Sequence, residues 1–449
     1  MTSKARPKPQ DDAPAGLGVR RRAVEVAERL LAGRETLDAA LEQEVKDKDF
    51  RSFEPRDKAL FRAIVSTLFR RRGQVEEALS RFLDRPLPDK AERARTILMV
   101  GATQILFLDI PDHAAVSIAV SLASGDRRAR PWKALVNGVL RRVAENREQI
   151  LATQNPERLN TPRWLWKRWR ANYGEEVRKR IAAMHLLTPG LDLTAKGDPA
   201  ELARAVGGEV LPTGSVRLAG GGRVEDLPGY KEGTFWVQDA AAALPARLLG
   251  AVAGKRIADL CAAPGGKTAQ LAAAGADVVA VDRSARRLKR LQANLARLGL
   301  TAEAIAADLL EWQPEGLFDG ILLDAPCCST GTLRRHPDTG WARGEAELAR
   351  LADLQAALLA RAAQWLEPGG VLVYCTCSLE PEEGEERIER FLAETSGFER
   401  VPIRAEEVGG LAEILNQRGE LRSLPCHLAR EDARSGGLDG FFAARLRRV

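Results

Sequence analysis

Two short stretches of this sequence place a cysteine directly after an apolar run: Asp324–Cys327 (Asp-Ala-Pro-Cys) and Thr376–Ser378 (Thr-Cys-Ser). Each apolar run is typical of a buried strand in a parallel sheet. A third stretch, Asp259–Thr268, is rich in glycine and also follows a predicted strand. Thiols and a glycine-rich turn at the carboxyl ends of parallel strands indicate covalent group transfer with a nucleotide-like cofactor.

The glycine-rich turn, Asp259–Thr268, can be compared with the patterns of three ligands. A dinucleotide requires Gly-x-Gly-x-x-Gly, which is not present, and a P-loop requires glycine where Cys261 stands. S-adenosylmethionine (SAM) requires a close backbone approach and an acidic residue at the end of the next strand, where Asp282 lies. Asp308 and Asp324 follow the third and fourth predicted strands. Each aspartate alone could merely cap a turn, but the series together with the glycine turn favours SAM.

The two cysteines, Cys327 and Cys377, end the fourth and fifth predicted strands. These strands are neighbours in a doubly wound sheet, so both thiols should face the cofactor crevice, although a lone cysteine there is more often a small buried residue. Zinc binding is disfavoured because Cys375 and Cys377 lack Cys-x-x-Cys spacing and the histidines are scattered.

A thiolate beside a methyl donor is the arrangement required for methylation of carbon 5 of a pyrimidine. The thiolate adds to carbon 6 and breaks the aromaticity of the ring, which makes carbon 5 nucleophilic. Asp324, which precedes Cys327, is suited to stabilise the charge that shifts to N3 if it holds or shares a proton. The residues alone leave open which cysteine attacks.

Helical periodicity extends through residues 19–150 and predicts an all-α domain after a flexible tail of residues 1–18. The predicted helices of this domain are Arg20–Leu31, Pro55–Arg70, Ala91–Leu108, Asp112–Ala123 and Trp132–Glu145. Residues 151–246 combine a Trp- and Arg-rich start with glycine-rich turns, which indicates a small α+β connector.

Strands and helices alternate in residues 247–449, which predicts an α/β, doubly wound, Rossmann-like sheet. The predicted parallel strands are Arg256–Leu260, Asp277–Val281, Ala302–Ala306, Phe318–Leu323 and Gly370–Tyr374, with a last strand at Gly440–Leu446. Two of the predicted helices are Ser284–Leu298, closed by Gly299, and Ala346–Leu366.

The composition is that of a globular protein, and the formal net charge of +6 is weakly in favour of a nucleic-acid partner. The cysteine spacing is unsuited to disulfides and indicates a reducing compartment. No apolar run reaches the length of a membrane span. We therefore expect a cytoplasmic protein that binds neither membrane nor metal and acts as a monomer.

Several motifs of this chain resemble those of the RsmB/NOP2/Sun family of SAM-dependent RNA 5-methylcytosine methyltransferases. The similarity is greatest to the bacterial Sun (RsmB) type, which carries a NusB-like N-terminal domain, and it covers residues 19–449. The motifs that carry it are Asp259–Thr268, Asp324–Gly331 running on to Arg334–Asp338, and Tyr374–Ser378 with Pro381–Glu383.

The resemblance implies that Cys377 is the nucleophile and that Cys327 assists product release. It also implies a SAM site formed by Cys261, Ala262, Ala263, Pro264, Gly265, Gly266, Lys267, Asp282, Asp308 and Asp324. The implied function is methyl transfer from SAM to carbon 5 of a cytosine in RNA, with 16S ribosomal RNA as the expected substrate. The alternative is a NusB-like RNA-binding or ribosome-assembly factor whose SAM fold is not catalytic.

Several basic segments are candidate RNA contacts. Arg334–His336 follow the Cys327 motif, although a solvated turn explains them equally well. Residues 163–170 interleave three tryptophans with basic residues, and the helical spacing of the tryptophans favours a core role for the rings. Arg20–Arg22 and Arg70–Arg72 flank predicted helices and are either solvated helix ends or a second RNA contact.

Overall fold

The computed structural model describes residues 16–220 and 222–449, which form two compact units. One unit contains the described residues up to Thr161, and the other extends from Pro162 to Val449. The predicted tail of residues 1–18 lies mostly outside the described residues, and the first helix already begins at Leu17. The predicted domain boundaries at residues 150 and 246 remain predictions.

The first unit is helical, as predicted. Its α-helices are α1 Leu17–Leu31, α2 Leu37–Lys46, α3 Lys48–Arg51, α4 Pro55–Arg70, α5 Arg72–Ser80, α6 Glu92–Phe107, α7 Asp112–Gly125, α8 Lys133–Glu145, α9 Arg147–Thr153 and α10 Pro156–Leu159. Helix α6 is central because it is apolar on nearly every side, and its Gly101 allows Leu140 of α8 to pack against the backbone.

The second unit contains the remaining elements. Its α-helices are α11 Arg163–His185, α12 Pro199–Val206, α13 Leu244–Arg247, α14 Gly266–Ala273, α15 Ala285–Leu298, α16 Thr339–Ala342, α17 Glu345–Gln364 and α18 Glu385–Glu394. Its strands are β1 Leu191–Ala195, β2 Glu209–Val210, β3 Val216–Leu218, β4 Phe235–Val237, β5 Arg256–Leu260, β6 Asp277–Asp282, β7 Glu303–Ala306, β8 Phe318–Asp324, β9 Leu366–Thr376, β10 Phe398–Arg400, β11 Leu421–Ser423 and β12 Phe441–Arg448.

Eight strands form the main sheet of this unit in the order β10-β12-β9-β8-β5-β6-β7, with β11 paired to β12. Strands β5 to β9 are parallel, and β12 runs antiparallel beside β9. The predicted Rossmann-like sheet and its last strand are therefore confirmed. The chain reverses its direction of strand addition between β5 and β8, which is where ligands bind in such sheets.

The parallel strands are apolar at consecutive positions because helices cover both faces of the sheet. In β8, Ile321 and Leu323 pack on the side of α17 and α18, whereas Leu322 packs on the side of α13 and α14. The predicted helix Ala346–Leu366 was wrong at its end: α17 stops at Gln364, because Leu366 already pairs with Phe318 at the start of β9.

A four-stranded antiparallel sheet in the order β2-β3-β1-β4 lies in the region predicted as an α+β connector. Within residues 16–220 and 222–449, no helix is both long and apolar enough to cross a membrane.

Candidate active site

The two predicted catalytic cysteines lie side by side. Strands β8 and β9 are paired, with Asp324 opposite Cys375, so the loops that leave them start at the same edge of the sheet. The Sγ atoms of Cys327 and Cys377 are 3.4 Å apart, and neither thiol is in a disulfide. Cys327 is buried, whereas Cys377 is partly exposed. A partly exposed cysteine beside a buried one is the arrangement expected for an attacking group with a helper.

The surroundings of the two thiols favour ionisation of Cys377. A hydrogen bond from Cys327 lowers the pKa of Cys377 despite its burial, and Ser329 and Lys267 act in the same direction. The pKa of Cys327 is raised well above its usual value by the same hydrogen bond, by burial and by the charge of Glu383. The thiolate of this pair therefore resides mainly on Cys377.

Glu383 fixes the backbone of the loop that carries Cys327. Its buried carboxylate accepts hydrogen bonds from the Cys328 amide at 3.0 and 3.1 Å. Gln355 of α17 donates both to Glu383, at 3.0 Å, and to the Pro326 carbonyl, at 2.8 Å. The sequence pattern assigns no role to Glu383, and its one signal is an acidic residue shortly after the Thr-Cys motif.

The two cysteine loops are also joined directly. The Gly331 amide donates to the Cys377 carbonyl at 3.0 Å, and the Gly331 carbonyl accepts from Gly440 at 2.8 Å. A Cβ atom at position 331 would lie 1.9 Å from the Gly440 carbonyl oxygen, so only glycine fits. Thr330 accepts from the Leu379 amide at 2.9 Å. The spacing of the thiols is thus set by backbone contacts between loops.

The glycine-rich turn lies between β5 and α14, next to the point where strand order reverses. Cys261 and Gly265 have positive φ angles of 61° and 102°, which fold the chain sharply over the strand end. Below the turn, burial raises the pKa of Asp259 to about 7, although Thr268 donates to its carboxylate at 2.6 Å.

Lys267 and Asp324 form an ion pair across the reversal point. Lys267 Nζ donates to Asp324 Oδ2 at 2.8 Å. Burial alone would lower the pKa of Lys267, but the charge of Asp324 raises it above its usual value, so the lysine stays charged. Cys375 donates to the other oxygen of Asp324 at 3.5 Å. Lys267 and Cys375 therefore hold Asp324 in place at the edge of the sheet where both predicted catalytic thiols lie.

The remaining predicted carboxylates lie at the ends of the next strands. Asp282 accepts from the Ala263 amide at 3.1 Å and from the Ser284 amide at 2.8 Å. Asp308 accepts from the Leu310 amide at 3.0 Å. Both carboxylates therefore shape local turns, and they also add negative charge along the carboxyl edge of β6 and β7.

The residues of this edge fit the chemistry of SAM. Three carboxylates, Asp282, Asp308 and Asp324, lie at or just beyond the carboxyl ends of β6, β7 and β8, with β5 and the glycine-rich turn between β8 and β6 in the sheet. SAM carries a sulfonium and an ammonium group, which carboxylates stabilise. No group of three or more metal-ligating side chains occurs among the described residues.

Both alternatives left open for Arg334 and Arg335, contact with RNA and a solvated turn, were wrong. Arg334 is fully buried and donates to the Gly436 carbonyl at 3.1 Å. Arg335 donates to Asp239 at 2.8 Å and lies 3.3 Å from both Asp192 and Asp439. These cations are structural because buried carboxylates surround them.

In two other basic segments, some of the residues make contacts within the protein. The core role of the tryptophans is confirmed for Trp169, which is fully buried and donates to Glu380 at 3.1 Å. Arg168 beside it bonds to Glu380 at 2.5 Å and to Glu382 at 2.6 Å. In the first unit, Arg20 donates to Gln104 at 2.6 Å and is buried.

Comparison with known proteins places this architecture in a family. The family model "16S rRNA methyltransferase RsmB/F" matches residues 246–447, and the NusB family model matches residues 18–145. Ribosomal RNA small subunit methyltransferase B of Klebsiella pneumoniae is 38% identical over 80% of this chain and 85% of the relative. The chain belongs to this family.

Two further proteins agree with this family assignment. Ribosomal RNA small subunit methyltransferase B of Pseudomonas syringae is 36% identical over 94% of each chain. The crystal structure of a methyltransferase homologue from Pyrococcus horikoshii superposes with a TM-score of 0.52 and 26% identity, over 63% of this chain and 94% of that chain. Members of this family are SAM-dependent enzymes, and the sequence-based assignment to the RsmB/NOP2/Sun family is confirmed.

Proposed function

We propose that this protein transfers the methyl group of SAM to carbon 5 of a cytosine in 16S ribosomal RNA through a covalent adduct with Cys377. The observation that carries the proposal is the pair of thiols, 3.4 Å apart, of which the less buried one, Cys377, has the lowered pKa. The family assignment supports the ribosomal substrate. A cytoplasmic location and a monomeric state remain predictions.

The first step assigned to this chain is addition of the Cys377 thiolate to carbon 6 of the cytosine. The carbon–sulfur bond forms while electron density moves to carbon 5 and toward N3. In this proposal N3 takes up a proton from the hydrogen-bonded pair of Asp324 and Lys267, which balances the charge that shifts there and is returned to the pair when the base is released. SAM, when bound by residues 261–267 and by Asp282 and Asp308, supplies an electrophilic methyl group on a sulfonium.

The second step is release of the methylated base. The proton on carbon 5 must leave and the carbon–sulfur bond must break, which restores the aromatic ring and returns Cys377 as a thiolate. Cys327 lies 3.4 Å from the sulfur that departs. We assign Cys327 to proton transfer in this step: once its own proton has passed to solvent, its thiolate takes the proton from carbon 5 while the carbon–sulfur bond breaks. The raised pKa of Cys327 makes that thiolate a strong base.

The test is methylation of a 16S ribosomal RNA transcript by the purified protein, with bisulfite sequencing to locate the product. We expect one methylated cytosine, and Cys377→Ser should lower the rate by on the order of 10⁴-fold or more without loss of SAM binding. SAM binding by the unsubstituted protein without methylation of any ribosomal transcript or particle would contradict the proposal and favour the non-catalytic RNA-binding alternative.

A further inference from the structure

The segment from Arg283 to Ala302, which includes helix α15, carries an unusual concentration of positive charge. Its six cations are Arg283, Arg286, Arg287, Lys289, Arg290 and Arg297, and it contains no acidic residue. This local charge of +6 equals the formal net charge of the whole chain. The segment is therefore strongly basic over its length, although Arg297 is half-buried and bonds to the Tyr230 and Phe235 carbonyls.

Three of these side chains have no structural role within the part of the chain that the structure describes. Arg283, Arg286 and Lys289 are exposed, and they make no hydrogen bond or ion pair with the described residues. Arg287, in contrast, bonds to the Ala263 carbonyl and lies 3.4 Å from Asp282. A structural explanation therefore covers Arg287 but not the other three.

The position of these cations also opposes helix stability. Arg283 precedes the N-cap residue Ser284, and Arg286 lies in the first turn of α15. The N-terminus of a helix carries partial positive charge, so cations are unfavourable there. Cations that destabilise the start of a helix and make no ion pair within the protein indicate a negatively charged ligand from outside it.

We propose that the exposed face of α15, defined by Arg283, Arg286 and Lys289, binds the phosphate backbone of the substrate RNA. This inference rests on the proposed function. Strand β6, which leads into α15, is two strands from β8 and three from β9, so the carboxyl end of β6, where Arg283 stands, lies roughly 10–15 Å from the ends of β8 and β9 at a strand spacing of about 4.8 Å. A single strand whose target base lies at Cys377 therefore reaches this face within a few nucleotides.

Other partners fit this face less well. The apolar residues of α15, Leu288, Leu291, Leu295 and Leu298, are buried in the core, so none is available for insertion into a membrane. No large exposed apolar side chain of the described residues lies in this segment, whereas a protein interface requires an apolar centre. The exposed cations Arg283, Arg286 and Lys289 are therefore better suited to bind phosphate groups than a membrane or a protein surface.

The test compares two triple variants of the full-length protein that remove the same charge. The first is Arg283→Gln, Arg286→Gln and Lys289→Gln. The control is Arg204→Gln, Lys255→Gln and Arg390→Gln. These residues are exposed and lie elsewhere: Arg204 in α12, Arg390 in α18 and Lys255 directly before β5, at the amino ends of the parallel strands. The probe is a 16S ribosomal RNA transcript, and both its binding and its methylation are measured across salt concentrations.

We expect the first variant to reduce the slope of log K against log salt by about 2, at roughly 0.7 for each lost phosphate contact. Its KM for RNA should rise at least tenfold. The kcat, the KM for SAM and the melting temperature should stay at their values in the unsubstituted protein. Equal RNA affinity and salt slope in the two triple variants would overturn the inference. Absence of methylation by the unsubstituted protein would instead contradict the proposed function.

Discussion

At the scale of single residues, the chemistry of this protein depends on the asymmetry between two neighbouring thiols. Cys377 receives a hydrogen bond from Cys327 and support from Lys267, whereas Cys327 faces the negative charge of Glu383. The same contact therefore lowers the pKa of one thiol and raises that of the other. The attacking and the proton-transferring roles proposed for them follow from this difference.

The lowered pKa predicts an early onset of thiolate reactivity. Alkylation of Cys377 by iodoacetamide, followed by peptide mass spectrometry, should reach half its maximal rate below about pH 8.5, the value of an ordinary thiol. The rate rises with pH because only the thiolate reacts, and a lowered pKa moves that rise to lower pH.

Two variants at position 327 provide the control for this prediction. Cys327→Ala removes the hydrogen-bond donor and should move the midpoint of Cys377 alkylation upward, whereas Cys327→Ser keeps a hydroxyl donor and should move it less. A Cys377 that titrates at or above pH 8.5 in the unsubstituted protein would show that the contact does not activate it.

Sequence analysis located both cysteines and the carboxylates, because residues that follow parallel strands must meet at one edge of the sheet. It did not reveal the role of Glu383, because the link from its carboxylate to the Cys328 amide joins two loops that are distant in the sequence. Such a contact depends on the tertiary path of both loops, which no local pattern records.

At the scale of elements, the loop after Cys327 is held between the main sheet and the small antiparallel sheet. Arg335 of this loop contacts Asp192 of β1, Asp239 and Asp439, and Arg217 of β3 makes a bidentate pair with Asp192 at 2.6 and 2.7 Å. Burial, with the nearby charge of Asp239, raises the pKa of Asp439 to about 7. The cluster depends on its cations because carboxylates are costly to bury alone.

The charge cluster predicts a large loss of stability when Arg335 is removed. Arg335→Gln removes the cation that Asp192, Asp239 and Asp439 share. It should lower the free energy of unfolding by about 3–5 kcal/mol, because the buried carboxylates lose their charged partner. Arg350→Gln, which breaks a surface pair with Glu347, should lower it far less, because solvent screens exposed ion pairs. Urea denaturation of the two variants measures both values, and equal losses would contradict a structural role for Arg335.

The arrangement of strands could be predicted, whereas the fate of the Arg334–Arg335 pair could not. The order of elements in the sheet follows from hydrophobic patterning, which each strand carries in its own sequence. Burial of a basic pair depends instead on Asp192, Asp239 and Asp439, which come from other parts of the chain. Two consecutive arginines in a loop have the same local pattern whether they contact solvent, RNA or buried carboxylates.

At the scale of the whole molecule, every residue proposed for SAM binding and catalysis belongs to the unit from Pro162 to Val449. The core clusters around the main sheet also consist of residues from this unit alone. The helical unit has a separate core, formed by residues between Val19 and Ile150. The two units are therefore expected to fold around independent cores.

This division predicts that the catalytic unit is separable. A chain that begins at Pro162 should fold and bind SAM with a Kd within about threefold of the full-length value, since all proposed SAM contacts are retained. Isothermal titration calorimetry and circular dichroism of the two chains provide the comparison. Loss of SAM binding in the shorter chain, although it is folded, would mean that the helical unit contributes to the cofactor site.

The most direct measurement of the central claim is covalent trapping of RNA on the enzyme. Cys327→Ser, incubated with SAM and a 16S ribosomal RNA transcript, should accumulate a protein–RNA complex that survives denaturing electrophoresis, because the adduct forms but its release is slowed. The double variant Cys327→Ser with Cys377→Ser should form none. A complex of equal yield in the double variant, or none in either variant under conditions where the unsubstituted protein methylates RNA, would contradict attack by Cys377.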